Sequence, residues 1–322
     1  MTIKRVLAIC TVACFAATGA MAQKAPPYVA FTAIVEHPAL DAVRKGALEE
    51  LAKLGFSSPA TLRTSFESAQ GQPANAVQIA NRLVGQHADV IVAVATPSAQ
   101  AALGATREIP IVFSAVTDPV AAKLVTNPNK PGGNITGVTD AVSVSEHIAF
   151  ARDVVPQLKR LGVVYNPGEA NSVALIDKLR VAAKAAGVEL VESPANKTSD
   201  LSAATERLAG KVDALYVPTD NVVASGLEAI VGIARQHKIP TIGGDNSFVQ
   251  RGVMAAGGGF DYLELGHITG RMVADILRGR KPGDIPVATS ANLEIMVNLG
   301  EAKRIGFVIP AAVVARAKTK ID

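Results

Sequence analysis

The residues of this chain best suited to bind a small molecule are polar and acidic side chains that directly follow apolar runs. Thr96 and Ser98 come after the run from Val90 to Val94. Hydroxyl groups at the start of a helix can donate to a ligand carboxylate, beside the free backbone N–H groups of the first turn. Acidic side chains such as Asp118 can pair with an ammonium group. A zwitterionic solute needs both kinds of group, so the pattern predicts a site for one.

The same pattern of polar and acidic residues recurs after most of the apolar runs. His37, Asn221 and Asn246 are further polar residues in these loops. Helix capping explains part of it, because Ser, Thr, Asp and Asn are preferred before a helix for that reason alone. Capping does not explain acidic residues on so many of these loops. The candidate ligand-binding residues are Glu36, Thr96, Pro97, Ser98, Ser114, Thr117, Asp118, Asn166, Glu169, Asn171, Ser172, Thr219, Asp220 and Asp245.

The chain carries no recognisable catalytic, nucleotide or metal motif. It has no G-x-x-x-x-G-K-[ST] loop, no H-E-x-x-H pair and no G-x-S-x-G elbow, and its glycine clusters lack the dinucleotide-binding context. The five histidines are far apart in sequence and are expected on solvated or helix surfaces. Asp118 or Glu169 could act as a base, but nothing beside them completes a mechanism. We therefore expect no enzyme activity, no cofactor and no metal ion.

Two segments repeat one order of elements. Residues 90–118 and 212–245 each read as an apolar strand, a Thr/Pro loop, a helix, Ile-Pro, a second strand and an Asp. Continuous apolar runs alternating with helices are typical of parallel sheets covered on both faces, and they place the chain in the α/β class. Ligands of such sheets lie beyond the carboxyl ends of the strands. Two Rossmann-like lobes should therefore present their polar loops to each other across a cleft.

Three segments are suited to cross between the lobes. The first lies near TNPNKPGGN at 126–134, the second in the glycine-rich stretch 252–259, and the third in 285–299. Three crossing strands form a hinge that bends while keeping the lobes in register. The predicted N-terminal lobe is 23–136 plus 258–285, and the predicted C-terminal lobe is 137–257 plus 286–322.

The first 22 residues have the pattern of a secretory signal peptide. Lys4 and Arg5 precede an apolar run that is shorter than the roughly 20 residues of a membrane-spanning helix, and a small-residue site ends at Ala22. Cys10 and Cys14 both lie in this run; lipid attachment at Cys14 is conceivable, but cleavage after Ala22 fits better. The mature chain then has no cysteine, which excludes disulfides and thiolate chemistry in it.

The charge and the aromatic content of the chain limit the partners and ligands that can be expected. Removal of Lys4 and Arg5 lowers the formal net charge from +4 to +2, and the remaining basic residues are dispersed, so nucleic acid is not expected as a partner. The chain has no Trp and 4% aromatic residues, which disfavours a sugar-stacking site. Six aromatic residues near the loops could line an apolar pocket or pack in the core: Phe31, Phe66, Phe113, Tyr165, Tyr216 and Phe248.

Several loop motifs closely resemble the substrate-binding components of ABC importers, in the group that includes tryptophan/tyrosine-binding proteins. They are EHPALD (36–41), VATPSAQA (94–101), IPIVFSAVTDPVAAKLV (109–125), PGGNITGVTD (131–140), GVVYNPGEANS (162–172) and VPTDN (217–221). The resemblance covers the mature chain and implies a type I periplasmic binding protein fold. It also implies ligand loops that include Ala115, within Ser114 to Asp118. Many Gram-positive relatives carry a lipobox cysteine at the end of the signal, whereas Ala22 and Gln23 here follow the soluble pattern.

The resemblance implies a monomeric periplasmic protein that captures a small molecule, an aromatic or related amino acid, and delivers it to ABC permease subunits. Two alternatives remain open from the sequence. The chain could be a periplasmic sensing module that hands its closed state to a receptor. It could also bind a solute that is not an amino acid, such as a sugar or a nucleoside.

Overall fold

The computed structural model describes residues 25–292 and 294–322. The predicted signal peptide, with Cys10 and Cys14, lies outside the described residues. The first lobe begins with alternating strands and helices: β1 (Tyr28–Ala33), α1 (Pro38–Lys53), β2 (Arg63–Ser68), α2 (Pro73–Gly85), β3 (Val90–Val94), α3 (Thr96–Ala105), β4 (Ile111–Val116) and β5 (Ile135–Thr139).

The second lobe repeats this alternation. Its elements are α4 (Val144–Val154), β6 (Arg160–Tyr165), α5 (Ala170–Ala185), β7 (Glu189–Pro194), α6 (Leu201–Glu206), β8 (Ala214–Val217), α7 (Asn221–Ser225), α8 (Leu227–Gln236), β9 (Thr241–Gly243), α9 (Asn246–Gln250) and β10 (Ala255–Ala256). The chain then returns to the first lobe through β11 (Gly259–Phe260), and α10 (Tyr262–Leu277) and β12 (Ala288–Thr289) belong to that lobe. It crosses back at β13 (Ala291–Asn292) and ends in the second lobe with β14 (Met296–Asn298), α11 (Leu299–Ile305), α12 (Ala311–Arg316) and β15 (Thr319–Ile321).

Each lobe is built on its own sheet, as predicted. The first sheet has the order β12-β5-β4-β3-β1-β2 and is parallel throughout. The second has the order β15-β14-β10-β9-β8-β6-β7 and is parallel except where β10 meets β14. Every residue of β3 and β4 is buried, which explains their continuous apolar sequence.

Helix α10 returns from the second lobe and packs against α1 on the first. The two helices approach closely at glycines: a Cβ on Gly46 would lie 2.2 Å from the Leu263 carbonyl oxygen, and a Cβ on Gly266 would lie 2.3 Å from the Val43 carbonyl oxygen. Any larger side chain at either position would force the helices apart. This contact fixes α10, and with it the hinge residues that precede it, to the first lobe.

The chain crosses between the sheets three times, after β5, around β11 and around β13, and β11 and β13 pair with each other in antiparallel fashion. The predicted boundary at residue 136 falls inside β5, and β12, which follows the predicted boundary at 285, pairs with β5 in the first sheet. Strand pairing therefore favours lobe boundaries near 140 and 290. Within the described part of the chain, no helix has the length and apolar character to span a bilayer.

Candidate ligand-binding site

The carboxyl ends of the two sheets enclose a narrow cavity of about 20 Å³, close to the volume of one water molecule. Residues of both lobes and of the hinge line it. They are His37, Ala39, Leu40, Ala115, Thr117, Asp140 and Tyr262 on the side of the first lobe and hinge, and Thr219, Asp220, Asn221, Ala224 and Phe248 on the side of the second lobe.

Two alanines at the carboxyl end of the first sheet have a strained backbone. Ala95 has φ 71° and Ala115 has φ 53°, in the left-handed region that non-glycine residues rarely occupy. Ala95 lies between β3 and α3, while Ala115 lies in β4 and lines the cavity. Backbone strain of this kind concentrates at ligand sites, where the surrounding structure maintains it.

Helix α3 starts beside this wall with polar groups that lack partners. Thr96 and Ser98 are each 1% exposed, and neither hydroxyl oxygen has a hydrogen-bond partner among the described residues. A buried hydroxyl without a partner costs free energy, and native proteins hold few of them. The hydroxyls and the free N–H groups of this first turn can together donate to a ligand carboxylate.

On the second lobe, Asp220 organises two loops. Its Oδ2 accepts hydrogen bonds from the Asn166 backbone N–H at 2.6 Å and from the Ser172 hydroxyl at 2.5 Å, and its Oδ1 accepts the Val223 N–H at 2.9 Å, which caps α7. Burial raises the pKa of Asp220, while these donors favour its ionised form. Asp220 therefore holds the ends of β6 and β8 together as well as lining the cavity.

Glu169 lies next to Asp220, and its pKa is raised above the ordinary value of a glutamate. Burial, followed by the nearby charge of Asp220, raises its pKa to about 7. The side-chain amides of Asn166 and Asn221 donate to its two carboxyl oxygens, at 3.2 and 2.5 Å. Glu169 does not line the enclosed cavity but a wider groove of about 630 Å³ between the lobes, together with Asn166 and Pro97.

Asp140, which begins the first crossing, is not among the residues predicted for the site. Its side chain is 4% exposed, its Oδ2 accepts a hydrogen bond from the Tyr262 hydroxyl at 3.3 Å, and its Oδ1 has no partner among the described residues. Burial raises its pKa to about 6. A signal was available, because Asp140 ends the motif GVTD directly after β5, as Asp118 ends AVTD after β4.

His37 and Tyr262 were also absent from the predicted site. His37 is half-buried in the cavity wall, where burial and the charge of Arg251 lower its pKa to about 4, so it is neutral at pH 7. The expectation of solvated or helix-surface histidines is wrong for His147, which is 5% exposed. Among the six predicted aromatic residues, Phe248 lines the cavity, whereas Phe31, Phe113 and Tyr216 are buried in the sheet cores.

The predicted residues fall into four groups. Ala115, Thr117, Thr219 and Asp220 line the cavity, and Pro97, Asn166 and Glu169 line the groove. Six are buried without lining either space: Thr96, Ser98, Ser114, Asn171, Ser172 and Asp245. Glu36 is exposed, and Asp118 lies outside the cavity in an ion pair with Lys178.

Besides Ser172, which donates to Asp220, two more of these buried residues have clear structural partners. Asp245 caps α9 through the Ser247 N–H at 2.7 Å and accepts the Phe260 N–H of the hinge strand β11 at 3.0 Å. Ser114 accepts a hydrogen bond from the Thr269 hydroxyl of α10 at 2.9 Å. Both side chains tie hinge elements to a lobe.

Known proteins share this architecture. The family model for ABC transporter substrate binding proteins matches residues 28–321. A tyrosine-binding protein from Clostridioides difficile is 38% identical over 270 residues, which cover 84% of this chain and 78% of that protein.

Two solved structures share the whole fold. One is an ABC domain in complex with L-Trp from Streptococcus pneumoniae, which is 30% identical and covers 92% of this chain and 100% of that chain, with a TM-score of 0.88. The other is the ligand-free, open structure of a substrate-binding protein with adhesive properties from Clostridium difficile. It is 38% identical with the same coverage of 92% and 100%, and its TM-score is 0.68. The fold is the type I periplasmic binding protein fold that the motifs implied. On the match over nearly all of its described length, this chain belongs to the ABC transporter substrate binding protein family.

Proposed function

We propose that this protein is the periplasmic solute-binding component of an ABC importer and that it captures an aromatic amino acid between its two lobes. The observation that carries the proposal is the cavity at the facing strand ends, whose walls come from both lobes and from the hinge. A ligand held there contacts both lobes at once, so its binding free energy favours the closed form. The Clostridioides tyrosine-binding protein and the L-Trp complex support an aromatic amino acid.

The conformation also supports capture by closure. The TM-score is higher with the L-Trp complex, 0.88, than with the open ligand-free relative, 0.68, although the open relative has the higher sequence identity. A cavity of about 20 Å³ is far smaller than the ~300 Å³ or more of typical ligand pockets. The lobes must therefore separate, or the cavity-lining side chains must move, before an amino acid enters.

The composition of the walls suits the two parts of such a ligand. The Thr96 and Ser98 hydroxyls at the start of α3 line neither space in this conformation, but they are buried without partners and could donate to the carboxylate once the lobes separate. Leu40, Phe248 and Tyr262 supply apolar and aromatic surface for the ring. Aromatic pairs of this kind add about 0.5–1.5 kcal/mol beyond the burial of their area.

The ligand assignment is tested by titration calorimetry and thermal shift with L-Tyr, L-Trp and L-Phe against glucose and adenosine. An aromatic amino acid at 100 times its dissociation constant should raise the free energy of unfolding by about 2.7 kcal/mol. A shift with the sugar or the nucleoside, and none with any amino acid, would refute it. Mass spectrometry of ligand retained through native purification would identify the natural solute independently.

The transport role and the location need separate experiments. Deletion of the gene should abolish high-affinity uptake of the labelled amino acid by intact cells, and unchanged uptake would favour a sensing module instead. Export is tested by N-terminal sequencing of the protein recovered from the periplasm. The expected first residue is Gln23, because the small-residue site ends at Ala22.

A further inference from the structure

We propose that Asp140 binds the ammonium group of the captured ligand, so that a primary amine is required for tight binding. This inference deepens the proposed function and rests on it for the identity of the remainder of the ligand. Asp140 lines the cavity where the first crossing leaves the first lobe, and its side chain is 4% exposed. It therefore meets any ligand that fills the cavity.

The carboxylate of Asp140 is the least occupied of those around the cavity. Oδ1 has no partner within hydrogen-bond distance among the described residues, and Oδ2 receives one long hydrogen bond, 3.3 Å from the Tyr262 hydroxyl. The Thr117 side chain is another polar group that favours the ionised form of Asp140. A carboxylate has about four acceptor positions. Oδ1 can therefore accept N–H groups from a ligand without breaking a bond within the protein.

The other buried carboxylates are already engaged. Asp220 accepts three hydrogen bonds from protein donors, and Glu169 accepts an asparagine amide on each oxygen. Asp245 accepts two backbone N–H groups and does not line the cavity. A ligand ammonium would have to compete with these donors at any of the three, but not at Asp140 Oδ1.

The electrostatic surroundings of Asp140 favour a cation over a neutral donor. The charge of Asp245 adds to the negative potential, and in the described part of the chain no lysine, arginine or histidine forms an ion pair with Asp140. A buried carboxylate without a counter-charge is costly, and a charge-assisted hydrogen bond from an ammonium is about twice as strong as a neutral one. The cavity is therefore built to receive a positive charge at this point.

The test uses four probes on the mature protein: L-Tyr, 3-(4-hydroxyphenyl)propionate, which lacks the amine, L-Phe, which lacks the ring hydroxyl, and tyramine, which lacks the carboxylate. Affinities are measured by calorimetry for the wild type, Asp140→Asn and Asp140→Glu. The control is Asp261→Asn, because Asp261 is an exposed helix cap outside the cavity. Circular dichroism confirms that each variant is folded.

We expect Asp140→Asn to weaken L-Tyr binding by about 100-fold and to leave the weak binding of 3-(4-hydroxyphenyl)propionate unchanged. Asp140→Glu should retain part of the affinity, and Asp261→Asn all of it. Unchanged L-Tyr affinity in Asp140→Asn would overturn the proposal. So would a variant that loses only the preference for L-Tyr over L-Phe, because Asp140 would then bind the ring hydroxyl.

The outcomes also separate this inference from the proposed function. A wild-type protein that binds tyramine but no amino acid would contradict the proposed ligand, and loss of tyramine binding in Asp140→Asn would still support Asp140 as the ammonium site. A wild-type protein that binds none of the amines would overturn both.

Discussion

The Lys178 ammonium group donates to the Asp118 carboxylate at 2.6 Å and so links the two lobes. Asp118 follows β4 of the first lobe, and Lys178 lies in α5 of the second. Asp118 also accepts the N–H groups of Val120 and Ala121. Burial would raise the pKa of Asp118, but these donors and Lys178 together hold it below its usual range. The pair bridges the two lobes outside the ligand cavity.

Replacement of Lys178 should therefore weaken ligand binding without touching the ligand. Because the Lys178 side chain is 54% exposed, the pair contributes on the order of 0.2–1 kcal/mol. Lys178→Met should raise the dissociation constant by about 1.4- to fivefold in low salt, and the difference should shrink as salt rises. The control is Lys184→Met, on the same helix without an ion pair among the described residues. Equal affinity of the two variants at low salt would rule out a bridging role.

Asp220→Ala should lower stability as well as affinity. The substitution removes the cap of α7 and leaves the Asn166 N–H and the Ser172 hydroxyl without their acceptor in a buried loop. We expect a loss of about 2 kcal/mol in the free energy of unfolding, measured by urea denaturation followed by circular dichroism. Asp261→Ala, at an exposed cap, should cost about 1 kcal/mol or less. Similar losses in both variants would contradict an organising role for Asp220.

The close approach of α1 and α10 predicts opposite effects of alanine at two helical glycines. Gly46→Ala places a Cβ against the Leu263 carbonyl oxygen, whereas a Cβ on Gly232 of α8 meets no atom within 4 Å. Gly46→Ala should cost about 1–3 kcal/mol through overpacking. Gly232→Ala should stabilise the protein by up to about 1 kcal/mol, because alanine is the better helix former. Thermal unfolding measures both, and a stable Gly46→Ala protein would show that the helices can separate freely.

Acid should destabilise the protein partly through His147. This side chain is 5% exposed, its Nδ1 lies 2.7 Å from the Tyr216 hydroxyl oxygen, and burial lowers its pKa from 6.5 to about 4. In this pH range the imidazole is protonated in the unfolded chain but stays neutral in the native protein. The free energy of unfolding therefore falls as the pH drops from about 6.5 to 4. Over this interval the loss from His147 reaches about 3 kcal/mol.

His147→Gln isolates this contribution, because Asp140 and Glu169 titrate in the wild type and the variant alike. Their raised pKa values act in the opposite direction, since protonation in the native state stabilises it as the pH falls. The difference in unfolding free energy between variant and wild type should move in favour of the variant by up to about 3 kcal/mol from pH 7 to pH 4. A difference that does not change with pH would show that His147 is not buried in its neutral form.

The polar residues at strand ends show which parts of the site could be predicted from the sequence. Ala115, Thr117, Thr219 and Asp220 were predicted and do line the cavity, because parallel strands bring their carboxyl ends to one edge. Capping, the competing explanation, also holds: Asp220 and Asp245 cap α7 and α9. Asp220 both caps a helix and lines the cavity, so the residue type alone could not separate the two roles.

The sequence alone was sufficient for the α/β class and the two largely parallel sheets, since these follow from local periodicity and from where glycine and proline interrupt it. Only the tertiary structure decided which loops meet. It brings Asp140, His37 and Tyr262 to the cavity and pairs Asp118 with Lys178 of the other lobe. The physical reason is that hydrogen bonds and burial between distant segments depend on the angle at which the hinge sets the lobes. Packing between segments far apart in sequence, such as Gly46 of α1 against α10, likewise appears in no local sequence pattern.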